Sequence, residues 1–207
     1  RVPPAEDRER AVCVHCGFID YRNPKLVVGS VAEWESRILL CRRAIDPRKG
    51  FWTLPAGYLE LGETIEEGAI REAREEASAS IRIEQILAVY SVPRISQVQI
   101  IFRAALASDA IAPGVESLET GLFGWDDIPW SEIAFPTVHW ALHHHRESRG
   151  RLDFPPYANP IAPAALVQER SNSASISIPT SSPMIPSYLS MPKSARLTEP
   201  RAEKPTI

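Results

Sequence analysis

The chain has 207 residues, with 23 Lys and Arg against 26 Asp and Glu for a formal net charge of -3, and 44% of its residues are hydrophobic. That composition fits a soluble globular protein and argues against a general nucleic-acid binder, which would carry a basic stripe. No run is long and apolar enough to span a bilayer, and the opening RVPPAEDRER lacks the apolar stretch of a secretory signal. An intracellular protein is expected, cytoplasmic or organellar. Because the sequence starts at Arg1 without Met, a truncated N-terminus with a targeting peptide upstream is part of that expectation.

Three regions follow from the chain. Residues 1–24 hold Cys13 and Cys16 in the stretch CVHCG, which has the C-x-x-C-G form of one zinc knuckle. Structural zinc takes four ligands and one knuckle supplies two, so Zn²⁺ at Cys13 and Cys16 is an incomplete expectation. Cys41, in the apolar run RILLC, reads as a core thiol. Residues 25–150 form the folded unit. Residues 151–207 are dominated by Pro, Ser, Ala and Thr from Pro155 on, with no sustained period, and are expected to be a disordered tail.

Within the folded unit, LVVGSVAEW and RILLCRR are β-rich runs separated by ESR, which predicts a hairpin. The Pro- and Gly-bearing stretch from Asp46 to Glu63 predicts a loop with short extended pieces. A helix is then predicted over about Ile65 to Ala77. Thr64 and Glu67 have capping-box spacing, and Ile65, Ala69, Ala73 and Ala77 recur on one face. IRIEQILAVYSV, VQIIFRAAL and GLFGWDD predict three more strands. PTVHWALHHHRES predicts a closing helix with Pro136 in its first turn, and its three histidines, 143 to 145, read as surface. The fold class expected is α/β, a mixed sheet between helices.

On the first helix Glu72, Glu75 and Glu76 fall at i, i+3 and i+4, which puts three carboxylates within one turn. Each like-charge pair on an exposed face costs only about 0.2–0.5 kcal/mol, so energetics alone leave a solvated surface open. The surrounding residues favour chemistry. Gly57 is followed after five residues by Glu63, and Glu63 after seven by Arg71 and Glu72. This arrangement, through Glu75 and Glu76, resembles the signature of the Nudix hydrolases at six of its seven specified Gly, Glu and Arg positions. The seventh, a Gly, is Ser78 here. If that residue must be left-handed to end the helix, Ser costs about 1 kcal/mol relative to Gly.

The resemblance implies a Nudix α/β/α sandwich that hydrolyses the pyrophosphate bond of a nucleoside diphosphate linked to another moiety. It implies Mg²⁺ or Mn²⁺ held by Glu72, Glu75 and Glu76, with Arg71 orienting the cluster and Glu63 as its ion-pair mate. Gly57 is expected to give the preceding loop freedom to turn. A general base is expected just before a late strand, at Glu116 or Glu119, with Glu116 favoured. Phe51, Trp52, Gly57, Tyr58 and Arg43 are the candidate substrate-binding residues.

The order of the CxxC knuckle, YRNP and the hydrolase unit resembles the zinc-ribbon branch of the family, similar to plant FAD pyrophosphatases and ADP-ribose pyrophosphatases. FAD or ADP-ribose is therefore the expected substrate and AMP the product. The alternatives are a nucleoside-triphosphate or capped-RNA pyrophosphatase, and a non-catalytic nucleotide-binding sensor or partner module. A homodimer sharing its pocket would fit many relatives.

Overall fold

The computed structural model describes residues 1–161. The expected disordered tail therefore lies, from residue 162 on, outside the described residues. Strands β1 (Ala11–Val12) and β2 (Ile19–Asp20) form a small antiparallel ribbon that carries the CVHCG turn. A seven-stranded mixed sheet follows, built from β3 (Lys25–Trp34), β4 (Arg37–Arg43), β5 (Trp52–Thr53), β6 (Ala56–Tyr58), β7 (Ile81–Val92), β8 (Gln97–Leu106) and β9 (Ser117–Phe123). Its two helices are α1 (Ile65–Ala77) and α2 (Pro136–Glu147).

The predicted hairpin is present, closed by Glu35 and Ser36 in left-handed conformations. Its strands stay paired only at Glu33↔Ile38 and Trp34↔Arg37. Beyond that the two strands separate: β5 takes the vacated edge of β4 through Cys41↔Thr53 and Arg42↔Trp52, β6 takes that of β3 through Val28↔Gly57 and its neighbours, and β9 lines the opposite edge of β4. On the other side β3 runs parallel to β8, which pairs antiparallel with β7. The last strand starts earlier than GLFGWDD predicts, at Ser117, and Trp125–Asp127 form a 3-10 turn instead of its end.

Side-chain alternation along the strands divides the core between the two faces of the sheet. Val31, Ile38 and Leu40 pack with Val138, Ala141 and Leu142 of α2, whereas Ala32, Leu39 and Cys41 pack with Ala73 and Ala77 of α1. One helix on each face gives the expected α/β/α sandwich. Among the described residues no helix is long and apolar enough to cross a membrane.

The capping box forms as predicted: the Glu67 amide donates to Thr64 Oγ1 and the Thr64 amide to Glu67 Oε2. At the other end Ser78 adopts φ 51°, in the left-handed region, so the departure from Gly does fall on a strained position. Ser78→Gly is expected to add about 1 kcal/mol and raise the melting temperature by about 2–4 °C in a thermal melt. No change would show that the position carries no strain.

Two features depart from expectation. Residues just beyond 150 pack against the outer strand β7: Tyr157 exchanges backbone hydrogen bonds with Leu87 and Val89, and the Asn159 amide clamps Ser91 at both its N–H and its C=O. Phe154 is buried in the core. The histidine run is not all surface either. His143 is exposed, but His144 stacks on Tyr157 with ring centres 4.2 Å apart, and His145 is buried against Glu33 at 2.6 Å. Successive helical residues point roughly 100° apart, so three in a row cannot share one exposed face. His145, with Arg149, holds the Glu33 carboxyl down at about 2.

Candidate active site

The site is built where β6 crosses the face of α1. Glu72 and Glu76 lie on the sheet side of the helix and are only 8% and 7% exposed, while Glu75 points outward. Room for Glu72 comes from Gly57. A Cβ at that position would overlap the Glu72 carboxylate, so the glycine serves close approach. This corrects the expectation of a flexible turn, because Gly57 sits in a paired strand and the left-handed glycine of the stretch is Gly62.

Arg71 gathers the acids. Its Nε and Nη2 bind both oxygens of Glu63, at 3.0 and 2.7 Å, and its Nη1 reaches Glu72 at 2.6 Å and Glu75 at 3.1 Å. Nη2 also donates to the Tyr58 carbonyl at 3.0 Å, and the Glu60 amide donates to Glu63 at 2.7 Å. The guanidinium therefore spans helix, loop and β6, far more than a surface pair with Glu75 would require. Beside it the Glu63 carboxyl is held down at about 2.

Glu76 is the exception. Its Oε2 is buried with no hydrogen-bond partner, and burial, reinforced by the Glu72 charge, pushes its carboxyl up to about 8. Burial also raises Glu72, against the pull of Arg71. A desolvated carboxylate oxygen without a donor is costly to keep, and a cation satisfies it. Among the described residues no three His, Cys, Asp or Glu side chains converge closely enough to enclose an ion unaided. The orphaned Glu76 oxygen, the Glu72 carboxylate cradled by Gly57 and the all-oxygen donor set nevertheless fit a hard divalent cation.

Glu116 precedes β9, and its charge bears on both Glu72 and Glu76. Glu119 instead pairs with Arg42 at 3.5 Å. Arg43 lies over the Phe135 ring, and its charge favours the ionised form of Glu76. Of the aromatic candidates, Trp52 is a correction: it is 6% exposed in the core and packs edge-on against Phe123, so its ring is not offered to a ligand. Phe51 is half-buried beneath Arg48, and Tyr58 is 51% exposed. Two residues not singled out from sequence adjoin Tyr58: Lys25, with Nζ 4.7 Å from the ring centre, and Gln97, bonded to its hydroxyl at 3.2 Å. Pairing of β6 and β8 with β3 brings them together, and no local pattern signals it.

Cys13 and Cys16 share the turn between β1 and β2, with the Cys13 amide bonded to the Phe18 carbonyl and the Gly17 amide to the Cys13 carbonyl. Hydrogen bonds from the Cys16 and His15 backbone lower the Cys13 thiol from its ordinary value. No third or fourth ligand joins them among the described residues, so the zinc expectation is not met there.

The NUDIX domain pattern matches residues 24–142. The ADP-ribose pyrophosphatase of Methanocaldococcus jannaschii is 32% identical over 119 residues, which is 56% of this chain and 69% of that protein. The NAD-capped RNA hydrolase NudC of Haemophilus influenzae is 33% identical over 79 residues, 37% of this chain and only 30% of its own length. The crystal structure of a NUDIX hydrolase from Nitrosomonas europaea superposes with a TM-score of 0.72 at 47% identity, covering 76% of this chain and 91% of that one. With its pattern matched across more than half its length, the chain belongs to the Nudix family of hydrolases.

Proposed function

We propose that the protein hydrolyses the pyrophosphate bond of a nucleoside diphosphate linked to another moiety, ADP-ribose or FAD, with Mg²⁺ or Mn²⁺, releasing AMP. The observation that carries this reading is the buried, unpartnered Glu76 Oε2 beside Glu72 in the space kept by Gly57. When bound there, a divalent cation would neutralise charge on the diphosphate and lower the pKa of water.

The chain's own residues do the rest. Glu72 and Glu76 hold the cation and Glu75 is a further ligand. Arg71, fixed by Glu63, keeps Glu72 and Glu75 in place. Glu116 takes the proton from the attacking water, and Arg43 faces the phosphates. Tyr58 offers an exposed ring to the base. ADP-ribose rests on the name of the archaeal relative, and FAD on the order of knuckle, YRNP and hydrolase unit.

The test is release of AMP and other monophosphates from ADP-ribose, FAD, NADH, CoA and deoxynucleoside triphosphates, with Mg²⁺ and with EDTA. Cleavage of ADP-ribose or FAD that EDTA abolishes is expected. Silence across the panel with nucleotide still bound would replace the reading with a sensor.

A further inference from the structure

We propose that Gly114 is a positioning residue for Glu116, keying the loop before β9 onto the last turn of α1 so that Glu116 faces Glu72 and Glu76. The inference rests on the role given to Glu116 above.

A helix leaves its last carbonyls without partners inside the helix. Here the Ser78 and Ala79 amides return to the Arg74 and Ala73 carbonyls. The last two are taken by a distant segment, for the Gly114 amide donates to the Glu76 carbonyl at 3.0 Å and the Ala112 amide to the Ala77 carbonyl at 2.9 Å. The loop is thus bonded to the backbone of a carboxylate-bearing residue. At Gly114 the approach is closest: a Cβ there would overlap the Glu75 carbonyl oxygen, which is backbone and cannot swing aside. Its φ is not in the left-handed region, so glycine is needed for contact and not for conformational freedom.

Glu116 stands two residues on and is tied at its other side. Its carbonyl accepts from the Ala44 amide at 2.8 Å, and the Ser117 amide returns to the Gly114 carbonyl at 3.1 Å. One short segment is therefore fixed to α1 at one end and to the end of β4 at the other. Any side chain at Gly114 must lift the loop from the helix, and Glu116 moves with it.

The experiment is a double-mutant cycle on the full chain with Mg²⁺ and ADP-ribose, or FAD if that is the panel member cleaved. Gly114→Ala is expected to lower kcat roughly 10–100-fold, the cost of an ångström-scale misplacement, with KM and the Mg²⁺-induced rise in melting temperature unchanged. In the Glu116→Gln background the same substitution should cost less than about twofold. A wild-type kcat in Gly114→Ala, or multiplicative losses in the double variant, overturns the inference. If Gly114→Ala does not fold, Ala112→Pro, which removes the donor to Ala77 and sets the ring against that carbonyl, carries the cycle with the same criteria. Glu116→Gln at the wild-type rate would instead overturn the role of Glu116, and the inference with it.

Discussion

Glu76→Gln is expected to lower turnover at least roughly 100-fold while making the cation-free protein more stable above neutral pH. The two effects have one cause. The Glu76 carboxyl is raised from 4.5 to about 8, chiefly by burial and next by the Glu72 charge. A group whose pKa is higher in the folded than in the unfolded state contributes stability that is fully present below about 4.5. That contribution is lost as pH rises towards 8, where the protein must hold a buried charge. In EDTA the wild type should lose melting temperature steadily across this window.

Glutamine carries no charge to desolvate, so the variant's melting temperature should fall less across this window, by the share of buried Glu72 alone, and lie about 3 °C or more above wild type at pH 8. Adding Mg²⁺ should reverse the order, because the cation repays the ionised carboxylate only where there is one. The binding also expels a proton, so Mg²⁺ affinity of the wild type should rise up to pH 8 and that of the variant should rise less. Thermal melts with and without Mg²⁺ at pH 5 and pH 8 decide it. A variant that melts like wild type at pH 8 in EDTA would show that Glu76 is not a strained acid, and full turnover would remove it from the chemistry.

What the sequence made legible was local. Helix α1 could be read to the residue because its signals, the Thr64–Glu67 box and the Ala69, Ala73 and Ala77 stripe, lie inside the helix itself. The acid cluster was legible for the same reason, since helical spacing alone brings Glu72 and Glu76 onto one face. The misreadings at the site concern who stands opposite. Gly57 looked like a flexible turn because its purpose, space for Glu72, depends on a helix fifteen residues on. Trp52 looked available because nothing nearby announces Phe123 and the core around it. His145 finds Glu33 across 112 residues and Asn159 finds Ser91 across 68, and no periodic pattern encodes either. The Pro-rich composition past Pro155 led to the expectation of a disordered tail, and it could not show that the outer strand β7 has backbone groups free to bind Tyr157 and its neighbours.

Arg71→Ala should be the most damaging single change outside the carboxylates themselves, and Arg71→Lys should rescue little of it. The guanidinium makes five contacts in three directions: two to Glu63, one each to Glu72 and Glu75, and one to the Tyr58 carbonyl. A lysine ammonium is a single point that cannot reach all of these at once. With it gone, Glu72 loses the partner that opposes its burial, and its carboxyl rises further. Cation affinity at pH 7 should then fall roughly 10–100-fold, the usual cost of removing a residue that orients a ligand, and turnover at limiting Mg²⁺ should fall with it. Saturating Mg²⁺ should recover part of the loss in Arg71→Lys and less in Arg71→Ala. Acid behaviour supplies an independent check. Arg71 holds Glu63 at about 2, below its ordinary 4.5. A depressed carboxyl stabilises above the unfolded value and loses that contribution as pH falls through the folded one, so wild-type stability should decline from about pH 4.5 towards 2. In Arg71→Ala the Glu63 share of this decline should shrink to what the Glu60 amide still holds. An identical acid profile in the two proteins would show that Arg71 does not hold Glu63 in solution, and unchanged Mg²⁺ affinity would show that it does not order the cluster.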